Sequence, residues 1–179
     1  AKKKTSRARV GARLLDRRTV TVKPRVEDGG PIPAERTLTA TRGIVLATGA
    51  RPRRPQIDGL DDVQWLTYET VFRAFDEVPS KLTVVGGGPI GCELAQAFSR
   101  LGASVTLVAC ALLGGDEPEA AEALEATFAS EGIRRVRGRA RSVAPAGVDG
   151  RGHRLTVALS GGGSGDAVHV VEGEALLVA

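Results

Sequence analysis

The pattern of apolar and polar positions changes character near residue 61. Before it, short aliphatic and β-branched segments stand between clusters of turn formers. ARLLD and RTVTVKP predict two strands around a turn, and EDGGPIP a loop. LTATRGIVLATG ends in a continuous apolar run, Ile44 to Ala47, of the kind expected of a buried strand. ARPRRPQIDGLDD then carries Pro52 and Pro55, which cannot donate to a sheet ladder, so the stretch reads as an extended connector.

Beyond the connector, helical and strand periods alternate. TYETVFRAF places Val71, Phe72 and Phe75 on one side of a predicted helix with Thr67 as its N-cap, and SKLTVVGG is a short buried strand. PIGCELAQAFSRLG predicts a helix with Gly102 past its end, SVTLVA a strand, and EPEAAEALEATFASEG a helix stopped by Gly132. IRRVRGRARSVAP and HRLTVALSGGGSGDAVHVVEGEALLVA read as further strands, the Gly/Ser tract forming the tip of a hairpin. Strand and helix alternating at this spacing predict an α/β fold with a parallel sheet and an antiparallel β annex. The predicted division is 1–61 and 62–179.

Composition narrows the class without changing the picture. A chain of 179 residues, 42% of them hydrophobic, can bury one or two compact cores. No apolar run approaches the ~20 residues that span a bilayer, and the N-terminal AKKKTSRARVGARLLDRR lacks a secretory signal's apolar stretch and cleavage site, so no membrane partner and a cytoplasmic location are expected. Cys92 and Cys110 make neither a disulfide framework nor a CxxC pair, and no Cys/His cluster suggests a metal. The formal charge of +4 gathers in Lys2, Lys3, Lys4, Arg7, Arg9, Arg13, Arg17 and Arg18, and again in Arg134, Arg135, Arg137, Arg139 and Arg141. Few aromatic residues interleave these clusters for base stacking, so they read as solvated faces and no nucleic acid is expected as a partner.

VVGGGPIGCE changes the picture most. Its spacing is Gly86-x-Gly88-x-x-Gly91, with Gly87, Pro89 and Ile90 between, directly after a strand and directly into a helix. Gly86 permits a tight turn, Gly88 lets backbone approach a pyrophosphate, and Gly91 lets the helix pack close to the strand. Free N–H groups at the helix start face the phosphates, and Pro89 suits the first turn because its missing N–H has no intrahelical partner anyway. A bare glycine spacing is weak, but here it sits inside one ~30-residue βαβ unit, as Rossmann-type dinucleotide binding requires. The competing reading is a glycine turn needed only for strand–helix packing.

The strand SVTLV should then end on an acid that holds the adenosine ribose of NAD, or lead to a basic residue for the 2′-phosphate of NADP. It ends on Ala109 and Cys110, which offer neither. Without the acid a 2′-phosphate meets no repulsion, which favours NADPH, although no basic residue occurs between Ala109 and Glu131. Asp116 or Glu117 could reach the ribose, and both read equally well as first-turn acids of the next helix.

Taken together, LATGARPRRPQIDGL and VVGGGPIGCELAQAFSRLGASVTLV resemble the flavin-dependent pyridine nucleotide-disulphide oxidoreductases, the group of dihydrolipoamide dehydrogenase, glutathione reductase and mercuric reductase. The likeness covers nearly the whole chain. GCELAQAFSRLGASVTLVA followed by DEPEAAEALEATFASEGI looks most like mercuric reductases, which adds to the NADPH preference. The resemblance implies that Ala47, Thr48 and Gly49 belong to the connector leaving an FAD-binding domain, so that 1–61 is a β-rich remnant of that domain and 62–179 a Rossmann-like NAD(P)-binding domain. It implies a relay in which NAD(P)H reduces FAD, FAD reduces a cysteine pair, and the thiols reduce the substrate.

In the family the redox CxxxxC motif precedes the region of Ala1, and the dimerisation domain with its catalytic His follows the region of Ala179. The contexts of Cys92 and Cys110 match neither redox cysteine. The chain therefore reads as an internal fragment, inactive in redox by itself, whose partners are the rest of its own FAD and dimerisation domains and which forms a homodimer only when intact. GEALLVA echoes RGIVLATGA, where relatives return to the FAD domain, and the absence of Met fits a chain without its native start. For Glu93 the resemblance implies a place near the nicotinamide, against the alternative of an exposed acid favoured by the helix dipole. Pro89 stands where several relatives carry an aromatic gate over the flavin, so that gate is absent. The function from another class that stays open is a non-catalytic Rossmann module sensing nucleotide or redox state.

Overall fold

Thr67, Thr70 and Val71 are β-branched and Pro79 follows closely; where the apolar spacing predicts a helix over 67–75, the computed structural model has a single 3-10 turn, Val71–Arg73. The structure describes residues 10–24, 34–115, 117–147, 152–160 and 167–179. The Thr70 hydroxyl accepts from the Thr67 amide (2.9 Å) and Val71 N donates to Thr67 O (2.9 Å), which closes one capped turn, but the residue before Pro79 is steered out of the helical region and the turn is not continued. Val71 enters the core, Phe72 is left 74% exposed, and Phe75 packs edge-on against Phe98 at 6.3 Å.

The chain divides into two compact units, 1–50 and 51–179. In the first, β1 (Val10–Leu14), β2 (Thr19–Pro24) and β3 (Arg36–Thr39) form an antiparallel sheet in that order. The predicted turn exists because Asp16 Oδ1 accepts the amides of Arg18 (2.7 Å) and Thr19 (2.8 Å), an Asx-type closure. Those amide bonds hold the Asp16 carboxyl below its usual range. The buried strand expected at Ile44 to Ala47 does not form: the run has no strand assignment, and Val45 is 88% exposed. A continuous apolar run becomes a buried strand only between flanking strands, and the described residues of this unit offer it no ladder partner.

The second unit follows the predicted alternation. β4 (Trp65–Leu66), β5 (Lys81–Val85), β6 (Ser104–Val108), β7 (Arg134–Val136) and β11 (Ala175–Val178) form a five-stranded parallel sheet in the order β4-β11-β5-β6-β7. Helices α1 (Pro89–Arg100) and α2 (Pro118–Ser130) lie on one face, where Leu82, Val84, Val105, Leu107 and Leu177 meet Ala95, Phe98 and Phe128. On the other face, Val108, Val136 and Leu176 meet Val143, Leu155, Val157 and Val171 of an antiparallel sheet made of β8 (Gly138–Ala146), β9 (Gly152–Leu159) and β10 (Val168–Gly173). The tip of the β9–β10 hairpin, 161–166, lies outside the described residues. The two-residue period decides this split, since successive side chains of one strand point to opposite layers.

Both helices end as their glycines predict. Ala103 N donates to Phe98 O (3.0 Å) and Gly102 N to Ser99 O (2.9 Å), while Ile133 N donates to Phe128 O (2.9 Å) and Gly132 N to Ala129 O (3.3 Å). These are Schellman closures around left-handed glycines at φ 104° and 74°. Arg100 ties the two helix ends together through Glu131 (2.5 and 3.1 Å), and this bonding holds the Glu131 carboxyl below its usual range.

Candidate functional site

The glycine loop contains two kinds of glycine. Gly86 has φ 128°, and a Cβ there would run into the Ala179 carbonyl oxygen; a Cβ on Gly91 would run into the Gly86 carbonyl oxygen. Both are needed for the loop to close against β11 and for α1 to seat. Gly88 has an ordinary φ of −73°, and a Cβ there would meet nothing within 4 Å. Packing alone therefore explains Gly86 and Gly91 and leaves Gly88 unexplained.

Gly88 is the N-cap of α1 and supplies no side-chain acceptor, so the amides of Ile90 and Gly91, which have no intrahelical partner, are available to an anion. Gly87 lies against the segment after β6: its carbonyl accepts from Leu113 N (2.7 Å) and from the Cys92 thiol (3.5 Å), and a Cβ on it would stand 2.8 Å from that of Ala109. Cys92 is buried in α1, and burial pushes its thiol pKa up, which keeps it an unreactive thiol.

A cleft of about 820 Å³ opens at the carboxyl ends of β5, β6 and β11, the place where open α/β sheets receive ligands. It gathers Gly86, Gly87, Gly88, Ala109 and Cys110, so the glycine loop and the strand end that lacks an acid share one space. Ala109 is buried and Cys110 exposed. Pro89, Ile90 and Glu93 are exposed on the first turns of α1, with Glu93 at the fifth helical position. Ala47, Thr48 and Gly49 lie in the first unit, exposed and outside any strand. Glu117 is the exposed N-cap residue of α2, and Asp116 lies outside the described residues.

Sequence reading missed the basic side of this cleft. Arg53 and Arg54 of the connector and Arg139 and Arg141 of β8 line it, and no carboxylate among the described residues does. The second basic cluster of the sequence is thereby split. Arg135 and Arg137 both pair with Glu125 (2.6 and 2.8 Å), and Arg134 meets His169 at 2.6 Å. The bond from Arg137 chiefly holds the Glu125 carboxyl below its usual range. The available signal was RGRAR, whose alternation puts Arg139 and Arg141 on the exposed side of a strand; nothing in the pattern says which strand end lies beside it.

A separate cavity of about 460 Å³ is walled by Ser80, Lys81, His153, Glu172 and Glu174 among others. His153 is 2% exposed, its Nε2 has no partner, and burial pushes its pKa down to about 4. Among the described residues, no group of three or more His, Cys, Asp or Glu side chains is placed to hold a metal ion. Among them, too, no helix is long and apolar enough to cross a membrane.

The family model described as pyridine nucleotide-disulphide oxidoreductase matches residues 4–179. Among curated proteins, mercuric reductase from Streptomyces lividans is 40% identical over 109 residues, 60% of this chain and 22% of that protein. Mercuric reductase from Acidithiobacillus ferrooxidans is 41% identical over 123 residues, 68% of this chain and 21% of that protein. The chain thus spans about a fifth of the length of these relatives. Among solved structures, LpdA from Mycobacterium tuberculosis is 28% identical with a TM-score of 0.62, the match covering 96% of this chain and 35% of that one. The HOCl-induced flavoprotein disulfide reductase RclA from Escherichia coli matches at 19% identity and a TM-score of 0.58, over 94% of this chain and 34% of its own, a likeness of fold.

Proposed function

The chain belongs to the pyridine nucleotide-disulphide oxidoreductase family, and from that premise we propose that residues 62–179 dock NAD(P)H, with NADPH preferred, for a flavin-dependent oxidoreductase of the mercuric reductase kind. The observation that carries this reading is Gly88. Its backbone faces open space at the head of α1, beside a cleft that also holds the end of β6. A pyrophosphate fits that cradle: the amides of Ile90 and Gly91 donate to it, and a side chain at 88 would take its space. The bound dinucleotide would supply a hydride. The residues of this chain orient it: Gly86 turns the loop, Gly88 admits the phosphates, and Ala109 leaves room beside the ribose without a carboxylate to repel a 2′-phosphate.

The flavin fits the described residues less well. Ala47 to Gly49 are exposed, and a Cβ on Gly49 would meet nothing within 4 Å, so these residues alone form no walls around a flavin nucleotide. Within the proposal, 1–61 is part of an FAD-binding domain completed by other regions of a longer protein. Those regions would also bring the thiol pair and the dimer interface, and the 179-residue chain alone carries no electron transfer.

Calorimetric titration of the chain with NADPH and NADH, together with its absorbance in the flavin bands after incubation with FAD, tests the proposal. The expected result is dinucleotide binding without retained flavin. Undetectable binding of both nucleotides would remove the docking role, and stoichiometric flavin with NADPH-driven Hg(II) reduction would remove the claim of inactivity. Gly88→Ala should cost no more than about 1 kcal/mol of stability, the loss of a glycine N-cap, since the new methyl meets only open space, while weakening NADPH binding at least about tenfold. Equal affinity in a folded variant would show that no phosphate lies at Gly88.

A further inference from the structure

We propose that Arg139 is the residue that reads the 2′-phosphate of NADPH, assisted by Arg53. The inference rests on the dinucleotide reading of the cleft and adds a specificity determinant to it. In a Rossmann unit the adenosine ribose lies at the end of the second strand, here β6. The beginning of β8 is fastened to that point: Ala109 N donates to Val136 O (3.1 Å), and Gly138 N donates to Ala109 O (3.3 Å). Arg139 is therefore one residue beyond the partner of Ala109. Its neighbours Gly138 and Ala140 are buried and Arg139 is exposed, so the alternation of β8 turns its side chain out of the annex core, and the residue itself lines the cleft.

The connector brings the second arginine. Asp58 bridges Ser142 in parallel, with Asp58 N donating to Arg141 O (2.9 Å) and Val143 N to Asp58 O (2.8 Å). The residues before Asp58 consequently run back along the start of β8, which places Arg53 and Arg54 on the same cleft. Arg54 is tied to Asp61 at 2.6 Å, so the assisting role falls to Arg53. Arg141 is the extra residue of the β8 bulge, and its carbonyl is spent on the connector; it adds positive field near the site. A phosphate dianion at the end of β6 would meet guanidinium groups in the planar, multi-donor geometry that suits phosphate, and no carboxylate among the described walls opposes it. The basic residue absent from the loop after β6 would thus be supplied from β8.

The test uses the full chain, with 2′,5′-ADP and 5′-AMP as calorimetric probes that differ by the 2′-phosphate. The parent should bind 2′,5′-ADP at least about tenfold tighter than 5′-AMP, the size expected of one charge-assisted contact. Arg139→Ala should remove most of that ratio with little change for 5′-AMP, Arg139→Lys should restore part of it, and Arg53→Ala should lower it less. Arg137→Ala, whose guanidinium sits on Glu125, should leave it unchanged.

A parent that does not discriminate the probes overturns the inference, as does an unchanged ratio in Arg139→Ala and Arg139→Lys with parent-like circular dichroism. Equal losses for both probes would place Arg139 on the other phosphates and overturn it too. If NADPH, NADH and both probes all fail to bind, the dinucleotide reading itself falls, and this inference with it. Should Arg139→Ala not fold, the probe ratio in Arg139→Lys and Arg53→Ala decides, a parent-like ratio in both overturning the proposal.

Discussion

Gly86→Ala is expected to destabilise the second unit by about 3 kcal/mol or more, a larger effect than that of Gly88→Ala, where the added Cβ meets nothing within 4 Å. Two independent costs act at this residue. An L side chain at φ 128° is strained by itself, and the added Cβ would overlap the main-chain carbonyl of Ala179, the residue after β11, which β5 holds in place through Ala179 N donating to Val85 O (2.9 Å). Neither cost can be relieved by a side-chain rotation, because both partners are backbone. Urea denaturation of the parent, Gly86→Ala and Gly88→Ala measures the contrast: the first should unfold at a much lower midpoint and the second near the parent's. A Gly86→Ala variant as stable as the parent would mean that the loop does not close against β11. The pair also separates the two explanations of the glycine spacing, since a packing turn predicts that affinity follows stability, whereas phosphate docking predicts that Gly88→Ala loses affinity alone.

Acidification should expose His153. Buried against Gly173 in the β9–β10 register, its ring is held neutral, with a pKa near 4 against an ordinary 6.5. Between these values the unfolded chain binds a proton that the folded chain refuses. The stabilisation is therefore complete above pH 6.5 and lost progressively as pH falls towards 4, to a total of about 3 kcal/mol. Lys81, Glu172 and Glu174 share the cavity, but Glu172 is bonded to Arg154 (2.7 Å) and Glu174 to Ser80 (2.8 and 2.9 Å). The salt-bridged Glu125 and Glu131 have lowered pKa values, so they lose their pairs only below the ordinary carboxylate range, and the window from pH 6.5 to 5 belongs to His153. Urea midpoints should fall through that window in the parent and stay level in His153→Leu. Proton NMR provides a second reading, because the chain has only two histidines and His153 should titrate near 4. A slope retained in His153→Leu would assign the effect to other groups.

Strand and helix alternating through SKLTVVGG, PIGCELAQAFSRLG and SVTLVA were enough to recover the parallel sheet and its annex, because short, nearly continuous apolar strands have to be covered on both faces and the helices between them supply one cover. Gly102 and Gly132 were equally legible: a helix stop needs a left-handed residue at one position, and glycine adopts it with least strain. The glycine spacing, the absent acid and the likeness to disulphide oxidoreductases were also open to reading, since they depend on residues close together in the chain.

Two segments read differently once folded. Ile44 to Ala47 has the composition of a buried strand, but burial is a property of neighbours, and the described residues of its unit provide no ladder on which it could lie. TYETVFRAF has helical spacing, but it closes only one turn, in which Val71 N donates to Thr67 O (2.9 Å), and the chain leaves the helical path ahead of Pro79. The basic wall of the cleft is the clearest case of a feature decided only in three dimensions. Arg53 and Arg139 are 86 positions apart, and they reach one cleft because a parallel bridge at Asp58 lays the connector along β8 while Gly138 ties β8 to the end of β6. Short-range pattern thus determined the elements, their ends and the phosphate loop, where the governing contacts lie within a few residues. The charge that the ribose end of the cleft presents was decided by long-range hydrogen bonds between strands, which leave no periodic trace in the chain.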